Sequence, residues 1–190
     1  DTNFSGNVED LIAASDYLKE SYTAPTLLVG HSLGGAAVLC ASARVPEVKA
    51  VATIGAPADA EHVIHNFGAS LDEIESDGEA TVSLAGRPFK IQKQFIEDVR
   101  TQSVEKHIGK MKAALMVLHS PIDQTVGIDN AAKIFTAAKH PKSFVSLDSA
   151  DHLLSRQEDA AYAADVIAAW AGRFIAADKP VIDSPDWEGV

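Results

Sequence analysis

The hexapeptide Gly30-His31-Ser32-Leu33-Gly34-Gly35 constrains this chain more than any other feature. It joins a short apolar run, Thr26 to Gly30, to an alanine-rich stretch from Leu33 to Arg44, so a buried strand turns directly into a helix with a serine at the corner. The bare pattern Gly-x-Ser-x-Gly arises by chance in roughly one chain in fifteen of this length. A strand before it and a helix after it make chance a much poorer explanation. Such a turn holds the serine in an unfavourable backbone region, and a side chain two residues before or after it would collide with neighbouring backbone. Gly30 and Gly34 are read as supplying that room. The helix aims its open amides at the serine, which places the Leu33 N–H to receive negative charge developing on an oxygen.

A serine hydroxyl is a weak nucleophile until a base takes its proton, and the base needs a carboxylate to orient it. Both follow in the chain. Asp123 sits in Ser-Pro-Ile-Asp just after the apolar run Ala113 to His119, and His152 sits in Ala-Asp-His just after the run Ser143 to Leu147. Ends of parallel strands on one sheet edge are where such folds gather their ligand sites, and Ser32 emerges on the same edge.

Rivals for these roles are weaker. Asp151 adjoins His152, and adjacent side chains rarely face each other; Asp148 reads as a loop cap, and Asp129 with Asn130 as a helix cap. His62 and His65 have metal-ligand spacing on a helix face, but no third ligand accompanies them. No metal and no organic cofactor is expected. His31 and His119 adjoin strand ends and read as pocket or packing residues, and Cys40 reads as a small core side chain.

Around this centre the pattern is regular. A first helix carries Val8, Leu11, Ile12 and Leu18 on one face with Asn7 as its cap, and a strand Ala50 to Ile54 stops at Gly55 and Pro57. Further helices are expected from Ala131 to Lys139 and through Ala163, Val166, Ile167, Trp170 and Phe174. Strand and helix alternating in this way predict an α/β fold, a mostly parallel sheet with helices on both faces. Residues 58–112 break the rhythm with a hairpin, Thr81 to Ile91, that turns near Gly86 and Pro88. An insertion of that length between two strands is read as a cap. Phe67, Phe89 and Phe95 within it either wall an acyl pocket or pack internally. Residues 178–190, with Pro180 and Pro185, read as a tail or linker.

Composition narrows the partners. The 190 residues suffice for one domain, and a net charge of −11 repels phosphate backbones and anionic membranes, which leaves small neutral substrates open. No apolar run approaches the roughly 20 residues of a membrane helix. Acidity is lopsided, with 13 acidic and 3 basic side chains before residue 81; the run from Asp72 to Glu79 reads as a solvated face. One cysteine excludes an intrachain disulfide and makes a reducing, cytoplasmic location the default.

The segments GHSLGG at 30–35, SPIDQTV at 120–126 and ADHLL at 150–154 resemble the α/β-hydrolase superfamily. More narrowly, VATIGAPAD, VSLAGRPFKI and KHPKSFVSLDSADHLL look like the hydrolase half of bacterial proteins in which an α/β-hydrolase precedes an OsmC-type domain. The resemblance implies an α/β-hydrolase domain over 1–177 with its cap at 58–112. It also implies esterase-like chemistry on a small-molecule ester by Ser32, Asp123 and His152, with an OsmC-type domain fused beyond the tail. Leu33 would then serve the oxyanion hole, and Gly30, His31 and Gly34 the nucleophile elbow. Thioesterase, peptidase and acyltransferase reactions use the same triad, and a non-catalytic docking module is the rival from another class.

The family sheet has eight strands, whereas four are counted here, and these look like its last four. The loop, typically beginning His-Gly, that donates the family's second oxyanion N–H has no counterpart before Ser32. The expectation is therefore a hydrolase lacking its first strands, with Thr26 to Gly30 left as an unpaired edge. The 190-residue chain by itself should associate with copies of itself or aggregate through that strand. A monodisperse, stable monomer in sedimentation would count against this.

Overall fold

A computed structural model describes residues 3–59, 64, 67–68, 70–84, 87–101 and 103–176. Helix α1, Phe4–Ser21, starts from Asn3, whose side-chain oxygen accepts the Gly6 N–H at 2.6 Å. The cap is therefore Asn3 and not Asn7. The added first turn shows no apolar period, but Phe4 is fully buried and draws that turn onto the core. Strand β1, Leu27–His31, leads into α2, Leu33–Ser42, and then β2, Ala50–Ile54. The middle of the chain forms α3, Ser70–Asp77, a hairpin of β3, Glu79–Leu84, and β4, Arg87–Gln92, then α4, Lys93–Thr101, and α5, Val104–Ile108. It closes with β5, Ala114–His119, α6, Asp129–Ala137, β6, Lys142–Ser146, and α7, Gln157–Ile175.

The main sheet runs β1-β2-β5-β6 with every pairing parallel, so the expected α/β architecture holds. Strand alternation divides its side chains between two cores. Val51, Leu115 and Val117 join residues of α1, α2, α5 and α6 on one face. Ala50, Ala52, Ala114, Met116 and Leu118 meet Ala163, Ile167 and Trp170 of α7 on the other. Three alanines on that second face leave room for the indole. Because β2 and β5 are covered on both sides, they read as unbroken apolar runs in the sequence. Among the described residues β1 pairs with β2 alone, and Val29 upon it is 47% exposed.

The segment 58–112 is anchored to this core. In the hairpin, Ala80 lies opposite Ile91 and Val82 opposite Phe89. Phe67 and Phe95 are buried with ring centroids 6.3 Å apart, in the same cluster as α2, so these two aromatics are packing residues; Phe89 is half-exposed. The Ser5 N–H donates to Asp98 Oδ2 at 2.7 Å, and its hydroxyl donates to the other oxygen, which ties α1 to α4. His62, His65, Gly86 and the tail lie outside the described residues.

At the junction of β1 and α2, Ser32 adopts φ 53° and ψ −130°, a region that costs a non-glycine residue about 1–3 kcal/mol. Neighbours hold it there: the Ser32 N–H donates to Ile54 O and the Gly35 N–H to Ser32 O, each at 2.8 Å. A Cβ on Gly30 would lie 2.3 Å from Gly34 O, and one on Gly35 would lie 2.5 Å from Ala56 Cβ. One on Gly34 would meet nothing within 4 Å. The room-making role read for Gly34 therefore belongs to Gly35. Gly34 is exposed on the outer side of the first helical turn, whereas Gly35 faces the segment that follows β2.

Substituting Ala for Gly30 or Gly35 should lower stability by at least roughly 1–3 kcal/mol in urea titration, because fixed neighbours must move. Gly34→Ala should be neutral or stabilising by up to about 1 kcal/mol. Equal losses at 34 and 35 would contradict this packing.

Candidate active site

Parallel strands end on a common edge, and three of these ends deliver the residues singled out above. β1 runs into Ser32, β5 into the loop holding Asp123, and β6 into the loop holding His152. Ser32 Oγ lies 3.0 Å from His152 Nε2, and His152 Nδ1 lies 2.7 Å from Asp123 Oδ2. A carboxylate only accepts hydrogen bonds, so Nδ1 carries the proton and Nε2 turns its lone pair towards the serine hydroxyl. Asp123 and His152 are buried, while Ser32 is partly open to solvent.

The second oxygen of Asp123 accepts the N–H groups of Thr125 at 2.8 Å and Val126 at 2.9 Å. Burial alone would raise the carboxyl above its ordinary value. The hydrogen bonds from His152, Val126 and Thr125 outweigh it and hold the group below the usual 3.8. The acid is thus fixed in place and ionised at neutral pH. Leu33 is the first residue of α2, and its N–H belongs to the open amino end of that helix.

The alternatives take other roles. Asp151 accepts the N–H and hydroxyl of Ser155, at 2.7 and 2.6 Å. Asp148 accepts from Ser146 Oγ at 2.8 Å and sits at φ 44°. Asp129 is the first residue of α6 and not its cap; the structural bonds there are made by Asn130, which accepts from the Ala58 N–H and donates to Gly127 O. Burial pushes the Cys40 thiol up to about 12, which suits a core residue and not a nucleophile. Among the described residues no group of three His, Cys, Asp or Glu side chains is placed to hold a metal.

Three residues do more at this site than the sequence indicates. Gly55 was read only as the end of a strand. It has φ +54°, and a Cβ on it would lie 3.2 Å from Asp123 Oδ2 and 3.3 Å from His152 Nδ1, so a side chain would press on both residues together. His119, fully buried, donates from Nε2 to Val126 O at 2.8 Å and braces the loop whose amides hold Asp123. Ser120 Oγ donates to Asp148 O at 3.1 Å and links the Asp123 loop to the His152 loop. The one available signal was position, since each lies within a residue of a strand end.

No protein-family model matches the chain, and no match was found among curated proteins. Solved structures do match. An esterase domain of a Rhodothermus marinus protein is 55% identical over 91% of this chain and 70% of its own, with a TM-score of 0.77. Est1E from Butyrivibrio proteoclasticus, 18% identical, covers 88% of this chain and 72% of its own at a TM-score of 0.69. Mouse alpha/beta hydrolase domain-containing protein 10, 21% identical, covers 91% and 71%, also at 0.69. The two distant likenesses concern the fold alone, whereas the Rhodothermus domain adds identity over most of both chains. With the parallel sheet and the strained turn at Ser32, these matches place the chain in the α/β-hydrolase family.

Proposed function

We propose that this chain is a serine hydrolase of small carboxylic esters that works through an acyl-enzyme on Ser32. The observation that carries the reading is the hydrogen-bonded series from Ser32 Oγ to His152 Nε2 and from His152 Nδ1 to Asp123, at 3.0 and 2.7 Å. Identity of 55% to a domain described as an esterase supports the choice of ester over other acyl substrates.

In the first step His152 Nε2 takes the hydroxyl proton as Ser32 Oγ bonds to the acyl carbon. Asp123 keeps the imidazole in the Nδ1–H tautomer and stabilises the imidazolium, while the Leu33 N–H donates to the oxyanion. When the tetrahedral intermediate collapses, the carbon–oxygen bond to the alcohol breaks and the imidazolium returns its proton to the departing alkoxide. Water, deprotonated by the same base, then attacks the acyl carbon, and Ser32 leaves with its proton restored. Gly30, Gly35 and His31 frame the elbow. The reading extends to a cytoplasmic enzyme with an OsmC-type domain fused after it. That extension rests on the segments resembling such fusions and on a single buried cysteine.

Ser32→Ala should lower kcat on p-nitrophenyl esters by a factor on the order of 10⁴ to 10⁶. Near-normal turnover in that variant would refute the assignment.

Asp123→Asn should lower kcat about 10⁴-fold by favouring the wrong tautomer. It also carries a pH signature. A carboxyl held below 3.8 in the fold stabilises it fully above that value, and the contribution disappears as pH falls through the lower folded value. Urea titrations should therefore show a gap between wild type and Asp123→Asn that is widest near neutral pH and that closes below 3.8. A gap independent of pH would show that ionised Asp123 does not support the fold.

A further inference from the structure

His31, the residue immediately before Ser32, directs its ring at the base. Its Nε2–H donates to the main-chain carbonyl of His152 at 2.7 Å, and the two imidazoles stand with centroids 4.9 Å apart, tilted by 43°. We propose that His31 is a positioning residue, a brace that sets the separation of Ser32 and His152; its catalytic value rests on Ser32 being the nucleophile.

The need for a brace follows from the backbone around the base. Asp148 and Leu154, on either side of His152, hold φ values of 44° and 50°, so this loop contains two costly conformations that surrounding contacts must maintain. Several of its bonds tie the loop to itself: the Ala150 N–H to Leu147 O at 2.9 Å, the Leu154 N–H to Asp151 O at 3.1 Å, and the Ser155 N–H to the Asp151 side chain at 2.7 Å. Such bonds shape the loop without fixing it to β1. The link from Ser120 to Asp148 O fixes its front to the end of β5.

The bond from His31 joins the His152 backbone itself to the end of the strand that carries Ser32. Asp123 fixes the rotation of the imidazole, and His31 fixes the main chain from which that ring hangs. Together they restrict both freedoms that set the distance between Nε2 and Oγ. His119 makes the same kind of bond on the acid side, from a strand end to a loop carbonyl. His31 is also exposed, so replacing it opens no cavity in the core.

Two substitutions separate the hydrogen bond from the ring contact. His31→Phe keeps an aromatic ring without a donor, and His31→Gln places an amide N–H at similar reach without a ring. The readouts are ester kinetics, thermal melting, and the ¹H–¹⁵N resonance of His152 Nδ1–H. His31→Phe should lower kcat by roughly 10- to 100-fold, the penalty expected of a misplaced base, with KM and melting temperature little changed. Its Nδ1–H resonance should broaden. His31→Gln should recover most of the rate and a sharp resonance.

The proposal is overturned if His31→Phe keeps wild-type kcat, if the rate falls while the resonance stays sharp, or if His31→Gln is as impaired as His31→Phe. Should wild type and Ser32→Ala turn over ester equally, the assignment of the nucleophile fails, while the resonance still decides whether His31 orders the base.

Discussion

Everything at this site depends on how closely the first turn of α2 approaches the end of β1. A carbon added at Gly30 would lie 2.3 Å from a backbone oxygen of that turn, so strand and helix touch through main chain. This contact forces Ser32 into a backbone region that L-residues avoid, and it turns the serine towards the open edge of the sheet. A looser junction would relax the serine into an ordinary helical start and lose the alignment with His152. The cost is met locally by backbone bonds from Ser32 to Ile54 and from Gly35 to Ser32, and more broadly by the two cores that clamp β2 and β5.

Asp123 and His152 reach that fixed point on loops, and loops are mobile unless tied. Here the ties come from strand ends. His119 holds the Asp123 loop through Val126 O, Ser120 joins that loop to the His152 loop, and His31 holds His152 itself. Gly55 leaves the space in which Asp123 and His152 meet. Two successive hydrogen bonds are thus seated in a frame of polar contacts drawn from the ends of β1 and β5, with Gly55 after β2 leaving the room.

Much of this was legible in the sequence because it depends on local pattern. β2 was read at Ala50 to Ile54 and is found there, since an apolar run bounded by Gly55 leaves little freedom. The order of Ser32, Asp123 and His152 followed from placing each after a strand. What escaped depends on partners far along the chain. The spacing of Gly34 and Gly35 does not say which one faces inward; only Ala56, packed against Gly35, decides it. Asn3 is not visible as a cap in the sequence, because the turn it starts is held by the burial of Phe4 and not by a periodic stripe. His31 and His119 were correctly placed at strand ends, but their bonds go to carbonyls that no spacing reveals.

Activation of Ser32 by His152 is open to covalent trapping. A fluorophosphonate probe, followed by peptide mass spectrometry, should place a single adduct on Ser32, and His152→Ala should abolish it. No adduct, an adduct on another serine, or undiminished labelling of Ser32 in His152→Ala would show that His152 does not activate Ser32.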